Sequence, residues 1–224
     1  MYFPALPFAS CFAYLPGGSG LVCDEGRRLC AHLKAADSTW LPRLVSRVWL
    51  EAVGHGRFAS VFDARTVLVP VPGSTTLQRA DWVGARLAWC LKELRLGAAV
   101  HPLLLRRYPV SKSAFAAAGR RPSVLEHYAS FAVAPGFGES ALITQRGFPA
   151  KPGGELRLML VDDVITRGRT LLAASRRLGE SFPGAKIRAF ALLRTLGPND
   201  VLHRVLDPCE GEVRWASRDA RRYP

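Results

Sequence analysis

Asp162 and Asp163 are adjacent carboxylates that follow directly on the strand-length stretch Leu156–Val161, and the segment Thr166-Arg-Gly-Arg-Thr170 comes shortly after. Ionised carboxylates only accept hydrogen bonds, which suits them to the vicinal hydroxyls of a ribose. Gly168 lets the backbone wrap closely around an anion, and Thr166 and Thr170 bring hydroxyl donors. A helix opening at Thr170 would add unpaired backbone N–H groups and the positive end of its dipole, both favourable to phosphate. Arg167 and Arg169 place two further cations on the same loop. Together these residues could hold a sugar phosphate at both ends, with donors at the phosphate and acceptors at the diol.

The flanking elements must set this geometry. Leu156–Val161 reads as a buried strand, Thr170–Leu178 as a helix turning Leu171, Ala174, Ser175 and Leu178 inward, and Ile187–Leu193 as a second strand. Strand, crossover helix and strand predict a parallel pair, and ligands of open α/β sheets bind beyond the carboxyl ends of such strands. Upstream, Thr66–Val71 is another strand-length apolar run, closed by the turn formers Pro72-Gly-Ser-Thr-Thr76. A helix is expected to open at Asp81, with Val83, Leu87, Leu91 and Leu94 on one face, and a strand over Val100–Leu105. Leu21–Lys34 and Trp40–Val53 read as helices, the second with an apolar face of Leu41, Leu44, Val45, Val48, Trp49, Ala52 and Val53. Arg106–Ser130 has weak periodicity and reads as a long, partly mobile arm, and loops of that length are usually functional. Phe131-Ala-Val133 could resume a strand, and Thr144–Glu155 is a connection. The chain therefore divides into an N-terminal helical or hood region (1–60), an α/β core (61–200) and a basic tail (201–224).

Composition bounds the rest. A chain of 224 residues is long enough to bury one α/β core. The five cysteines include no C-x-x-C pair, which argues against a zinc site or a disulfide framework and suits reduced thiols in a cytoplasmic protein. Met1–Ser10 lacks a basic start and carries two prolines, so no signal peptide is read, and no apolar run is long enough to enter a membrane as a span. The formal charge of +13 predicts attraction to polyanions, either nucleic acid or a multiply phosphorylated small molecule. No Walker-type, dinucleotide-binding, zinc-protease or nucleophile-elbow motif is present.

The pattern of apolar run, Asp-Asp, two apolar residues and Thr-x-Gly-x-Thr resembles the binding signature of type I phosphoribosyltransferases. Val67-Leu-Val-Pro-Val-Pro72, the basic segment, the signature and Gly184–Arg194 extend the likeness, over roughly residues 60 to 195, to the ComF family. The four-cysteine zinc module of that family has no counterpart here. The resemblance implies a type I phosphoribosyltransferase-like parallel sheet flanked by helices. It also implies phosphoribosyl pyrophosphate or a nucleotide as ligand, magnesium as cofactor, and transfer of ribosyl phosphate to a base or amine with loss of pyrophosphate.

On that likeness Asp162 and Asp163 take the ribose hydroxyls, directly or through the water shell of a magnesium ion without firm protein ligands. Thr166, Arg167, Gly168, Arg169 and Thr170 take the 5′-phosphate. Gly73, Ser74 and Thr75, with Arg79 nearby, face the pyrophosphate, and Lys112 is the preferred cation of a lid that also carries Arg106, Arg107, Arg120 and Arg121. His127 is a candidate acid or base, although such a histidine is more often structural. Two other readings use the same residues: a non-catalytic sensor of phosphoribosyl pyrophosphate or nucleotide, and a nucleic-acid-associated ComF-like protein using its basic surface. A homodimer is compatible with each.

Overall fold

The computed structural model describes residues 2–35, 39–76, 82–111, 121–135 and 155–224. Its centre is a seven-stranded sheet in the order β3-β2-β6-β7-β1-β8-β9. The strands are β1 (Leu6–Tyr14), β2 (Val67–Pro70), β3 (Ala99–Val100), β6 (Arg157–Ile165), β7 (Lys186–Thr195), β8 (Leu206–Ala216) and β9 (Asp219–Tyr223). Neighbours from β3 to β1 run parallel, and β8 and β9 add an antiparallel edge beside β1. A small antiparallel pair, β4 (Leu104–Arg106) and β5 (Phe131–Val133), stands apart.

Residues alternate between the two faces of this sheet, as the pleat requires. Val67, Val69, Leu158, Leu160, Ala189 and Ala191 enter one core with Phe3, Leu6, Phe8 and Phe131. The helices α4 (Val124–Ser130) and α5 (Arg169–Ser181) cover that face through Val124, Leu171, Leu172, Ala174 and Leu178. Leu68, Met159, Val161, Phe190 and Leu192 point the other way. They meet α1 (Leu21–Lys34), α2 (Trp40–Trp49) and α3 (Val83–Glu93) through Leu33, Leu41, Leu44, Val45, Val48, Leu87 and Leu91. Each fully buried Leu or Phe contributes about 1.5–3 kcal/mol, so both layers are needed to hold the strand ends in place.

Several expectations are corrected. Residues 1–60 are not only helical, because β1 lies inside the main sheet between β7 and β8. Leu6–Tyr14 is buried along most of its length, the same signature that marks β2, and Pro7 falls just before the parallel pairing that begins at Phe8. A proline is tolerated there because no ladder hydrogen bond to β7 is asked of it. The basic tail is likewise part of the sheet, as the β8–β9 hairpin. Its turn, Ser217-Arg218, has φ of 50° and 66° without any glycine or asparagine to announce it.

The expected strand Val100–Leu105 is two strands in different sheets, since Pro102 removes a ladder donor between them. The arm Arg106–Ser130 ends in a true helix, α4, opened by a capping box in which Ser123 and Glu126 satisfy each other's backbone N–H groups. The helix α2 stops at Trp49 and continues as a π-helical turn over Leu50–Gly54. Asp81 and most of the connection 144–155 lie outside the described residues. No helix among the described residues is long and apolar enough to cross a membrane.

Candidate functional site

Because β1, β2, β6 and β7 are parallel, their carboxyl ends open on one edge of the sheet. An open cleft of about 480 Å³ lies there, lined by Tyr14 from β1, Pro72–Ser74 after β2, Asp162–Val164 from β6 and Thr195 from β7. Thr166, Thr170, Arg106, His127 and Arg121 complete one wall, and Lys34 stands on another.

Asp162 and Asp163 sit inside the last turns of β6 rather than after it, since the strand runs on to Ile165. Asp162 pairs in register with Ala191, and its Oδ1 accepts the Asp163 N–H at 2.9 Å. The Asp163 carboxylate accepts the Val164 N–H at 2.9 Å. These bonds aim both carboxyls along the strand toward the cleft. Burial, with Asp163 beside it, raises the Asp162 carboxyl well above its ordinary value.

The loop after β6 borders a smaller recess of about 40 Å³, lined by Val164–Leu171 together with Asp162, His127 and Arg121. That exceeds the ~10–15 Å³ that one buried water needs by the same kind of measure. Gly168 is the N-cap of α5 in the left-handed region, φ 82°, and no side chain caps this end of the helix. Thr170 is half-buried at its first turn, whereas Thr166 and Arg167 are exposed.

The two loop arginines do not face the recess equally. Arg169 donates from Nε to Asp219 Oδ1 at 2.6 Å and from a terminal nitrogen to Pro122 O at 3.2 Å. Its guanidinium is therefore engaged with β9 and the approach to α4 while the residue lines the recess. Arg167 touches the same Asp219 at 3.3 Å, but two thirds of its side chain is in solvent.

The C-terminal hairpin braces the loop at three points. Val213 lies under Gly168, Asp219 holds Arg169, and Arg222 donates to Ile165 O at 3.1 Å and Thr195 O at 2.7 Å.

On the opposite side, Gly73 and Ser74 line the cleft, while Thr75 is exposed. The Ser74 carbonyl accepts the Val110 N–H and the Gly73 carbonyl accepts Arg106 Nε, each at 2.9 Å. Arg106 is buried, not a mobile lid cation. Burial lowers its pKa to about 10 despite the Asp162 charge nearby. Arg107 is exposed, Arg121 lines the cleft, and Lys112, Arg79 and Arg120 lie outside the described residues. Ser111, which precedes that undescribed stretch, lines the cleft as Arg121 does beyond it.

Tyr14, Lys34 and Thr195 line the cleft and escaped the sequence reading. Tyr14 and Thr195 are register partners at the ends of β1 and β7, so recognising β1 would have brought them together. Burial alone would lower the Lys34 pKa, but Cys30, Asp163 and Tyr14 overcome it and raise the value. Among the described residues no group of three or more His, Cys, Asp or Glu side chains gathers as a metal cluster. The donor set at the cleft is two carboxylates, which fits a hard cation held mainly by ligand oxygens and water. No family model and no curated protein matches this chain.

Proposed function

We propose that this protein binds phosphoribosyl pyrophosphate in the cleft and transfers its ribosyl phosphate to a nitrogen nucleophile, releasing pyrophosphate. One observation carries the reading: Asp162, Thr166 and Thr170 line both the open cleft and the recess under the N-terminus of α5. A ligand with a diol at one end and a phosphate at the other spans that arrangement. Asp162 and Asp163 accept from the ribose hydroxyls, the first-turn N–H groups and Thr170 donate to the 5′-phosphate, and the Gly73–Ser74 loop borders the leaving pyrophosphate. The bond from the anomeric carbon to pyrophosphate oxygen breaks as the bond to nitrogen forms. The nitrogen gives its proton to water or to the departing pyrophosphate, and catalysis is positioning plus electrostatics. A magnesium ion, held at Asp162 and Asp163 through water, would supply neutralisation of the pyrophosphate charge.

A sensor that binds without turnover is the second reading. It is favoured by Arg106, whose guanidinium donates to Gly73 O and Ser130 Oγ and leaves the leaving-group side short of charge. Calorimetry with phosphoribosyl pyrophosphate and magnesium tests both readings. Saturable binding that is lost in Asp162→Asn/Asp163→Asn supports them, and no heat with the unaltered chain refutes them. Pyrophosphate release across a panel of bases and amines then separates enzyme from sensor.

A further inference from the structure

A buried polar chain crosses from the loop after β2 to the first turn of α5, and neither loop's expected chemistry uses it. Arg106 and His127 are 6% and 3% exposed, burials at which polar groups need partners. Arg106 Nε donates to Gly73 O at 2.9 Å, one terminal nitrogen donates to Ser130 Oγ, and the other lies 3.2 Å from His127 Nδ1. Its guanidinium also stacks 3.9 Å from the Phe131 ring centre. On the far side of the imidazole, His127 Nε2 is 3.4 Å from Thr170 Oγ1.

The proton assignment follows from the donors. A guanidinium has only hydrogens to offer, so Nδ1 of His127 must accept. The ring is then neutral, its hydrogen is on Nε2, and Thr170 Oγ1 is the acceptor facing it. Nε2, itself a donor, cannot accept the Thr170 hydroxyl hydrogen, which is left to point elsewhere, and the recess is beside it. Protonating the imidazole would set an N–H against Arg106 and break the chain at once. The surrounding charges agree: burial, Arg106 and Arg169 lower the His127 pKa to about 4, opposed only by Glu126.

We propose that Arg106 and His127 form a positioning relay that fixes Thr170 as a hydroxyl donor, so that the recess selects an acceptor-only anion, the fully ionised phosphate monoester. This rests on the sugar-phosphate reading of the cleft. It gives His127 a role other than acid or base: it acts through Thr170, and it ties the phosphate loop to the Gly73 carbonyl on the opposite side of the ligand.

Two measurements on the full chain test it. Long-range proton–nitrogen correlation of the imidazoles, from about pH 5 to about pH 8, should show His127 as the neutral Nε2–H tautomer throughout. The Nδ1–H tautomer, or protonation within that range, overturns the relay. Calorimetry with ribose 5-phosphate should show His127→Phe and Thr170→Val each weakening binding about tenfold, the loss of one hydrogen bond to a charged group. Thr170→Ser, which keeps the hydroxyl, should recover binding relative to Thr170→Val, and the double variant should bind no worse than the poorer single one. Multiplied losses in the double variant, or unchanged binding in His127→Phe, overturn the relay. If the unaltered chain ignores ribose 5-phosphate, the sugar-phosphate reading fails, and the tautomer still decides the hydrogen-bond chain. The tautomer also decides if His127→Phe does not fold.

Discussion

A Cβ added to Gly168 would lie 2.6 Å from Cγ2 of Val213, so the loop after β6 and the C-terminal hairpin touch at a point with no spare room. At φ 82° the residue also occupies the left-handed region, which costs an L side chain roughly 1–2 kcal/mol. Gly168→Ala should therefore lower Tm and weaken sugar-phosphate binding. Adding Val213→Ala removes the clash and not the backbone strain, so it should restore part of the loss. Thermal melts and calorimetry on the three variants check this, and full restoration would show that contact alone requires the glycine.

The Arg169–Asp219 pair should couple α5 to β9. A double-mutant cycle with Arg169→Ala and Asp219→Ala should give about 1 kcal/mol of coupling, as expected of a two-point pair that is only partly screened. Burial alone would raise the Asp219 carboxyl, but the Arg169 and Ala220 donors overcome it and hold it below the ordinary 3.8. The sign follows: this stabilisation is complete above the unfolded value and is lost as pH falls through the depressed folded value. Urea melts below about pH 4 should show Asp219→Asn losing less stability than the unaltered chain.

Asp162 should behave in the opposite way. Its carboxyl is raised by burial and by Asp163, so the folded chain holds a proton that the unfolded chain releases. Stability then falls as pH climbs from the ordinary aspartate value through the raised one, and stays lower above it. Asp162→Asn should remove that fall and raise Tm at neutral pH. The same variant should bind ligand worse. A gain in stability joined to a loss of binding is the pattern of a group placed for function.

The hairpin turn gives a test confined to the backbone. Ser217 and Arg218 both hold positive φ, where Asn-Gly is at ease. Replacing them with Asn-Gly should raise Tm by a few degrees, from roughly 1 kcal/mol of relieved strain. An unchanged or lower Tm would mean that the turn is not built in this way.

Where the sequence was readable, a local pattern and its tertiary role coincided. Leu158–Val161 and Val67–Val69 are apolar on both faces because both faces are covered, and Gly168 is needed where its motif puts it. Where reading failed, the signal was present but its partner was distant. Leu6–Tyr14 has the apolar run of a central strand, yet only its pairing with β7 and β8 shows that Pro7 does no harm. Ser123-x-x-Glu126 announces α4 as plainly as any capping box, and it was hidden in a segment read as an arm. Ser217-Arg218 carries no turn chemistry at all, so β8 and β9 were invisible without coordinates. The Arg169–Asp219 pair could not be read locally, because the two residues lie far apart along the chain.

The most direct test of the clasp is a crystal structure of the full chain soaked with ribose 5-phosphate. The account predicts the phosphate in the recess, within hydrogen-bond reach of the Gly168–Thr170 backbone and the Thr170 hydroxyl, with the ribose diol on Asp162 and Asp163. A ligand bound outside the recess and the cleft, or an empty recess at saturating ligand, would contradict it.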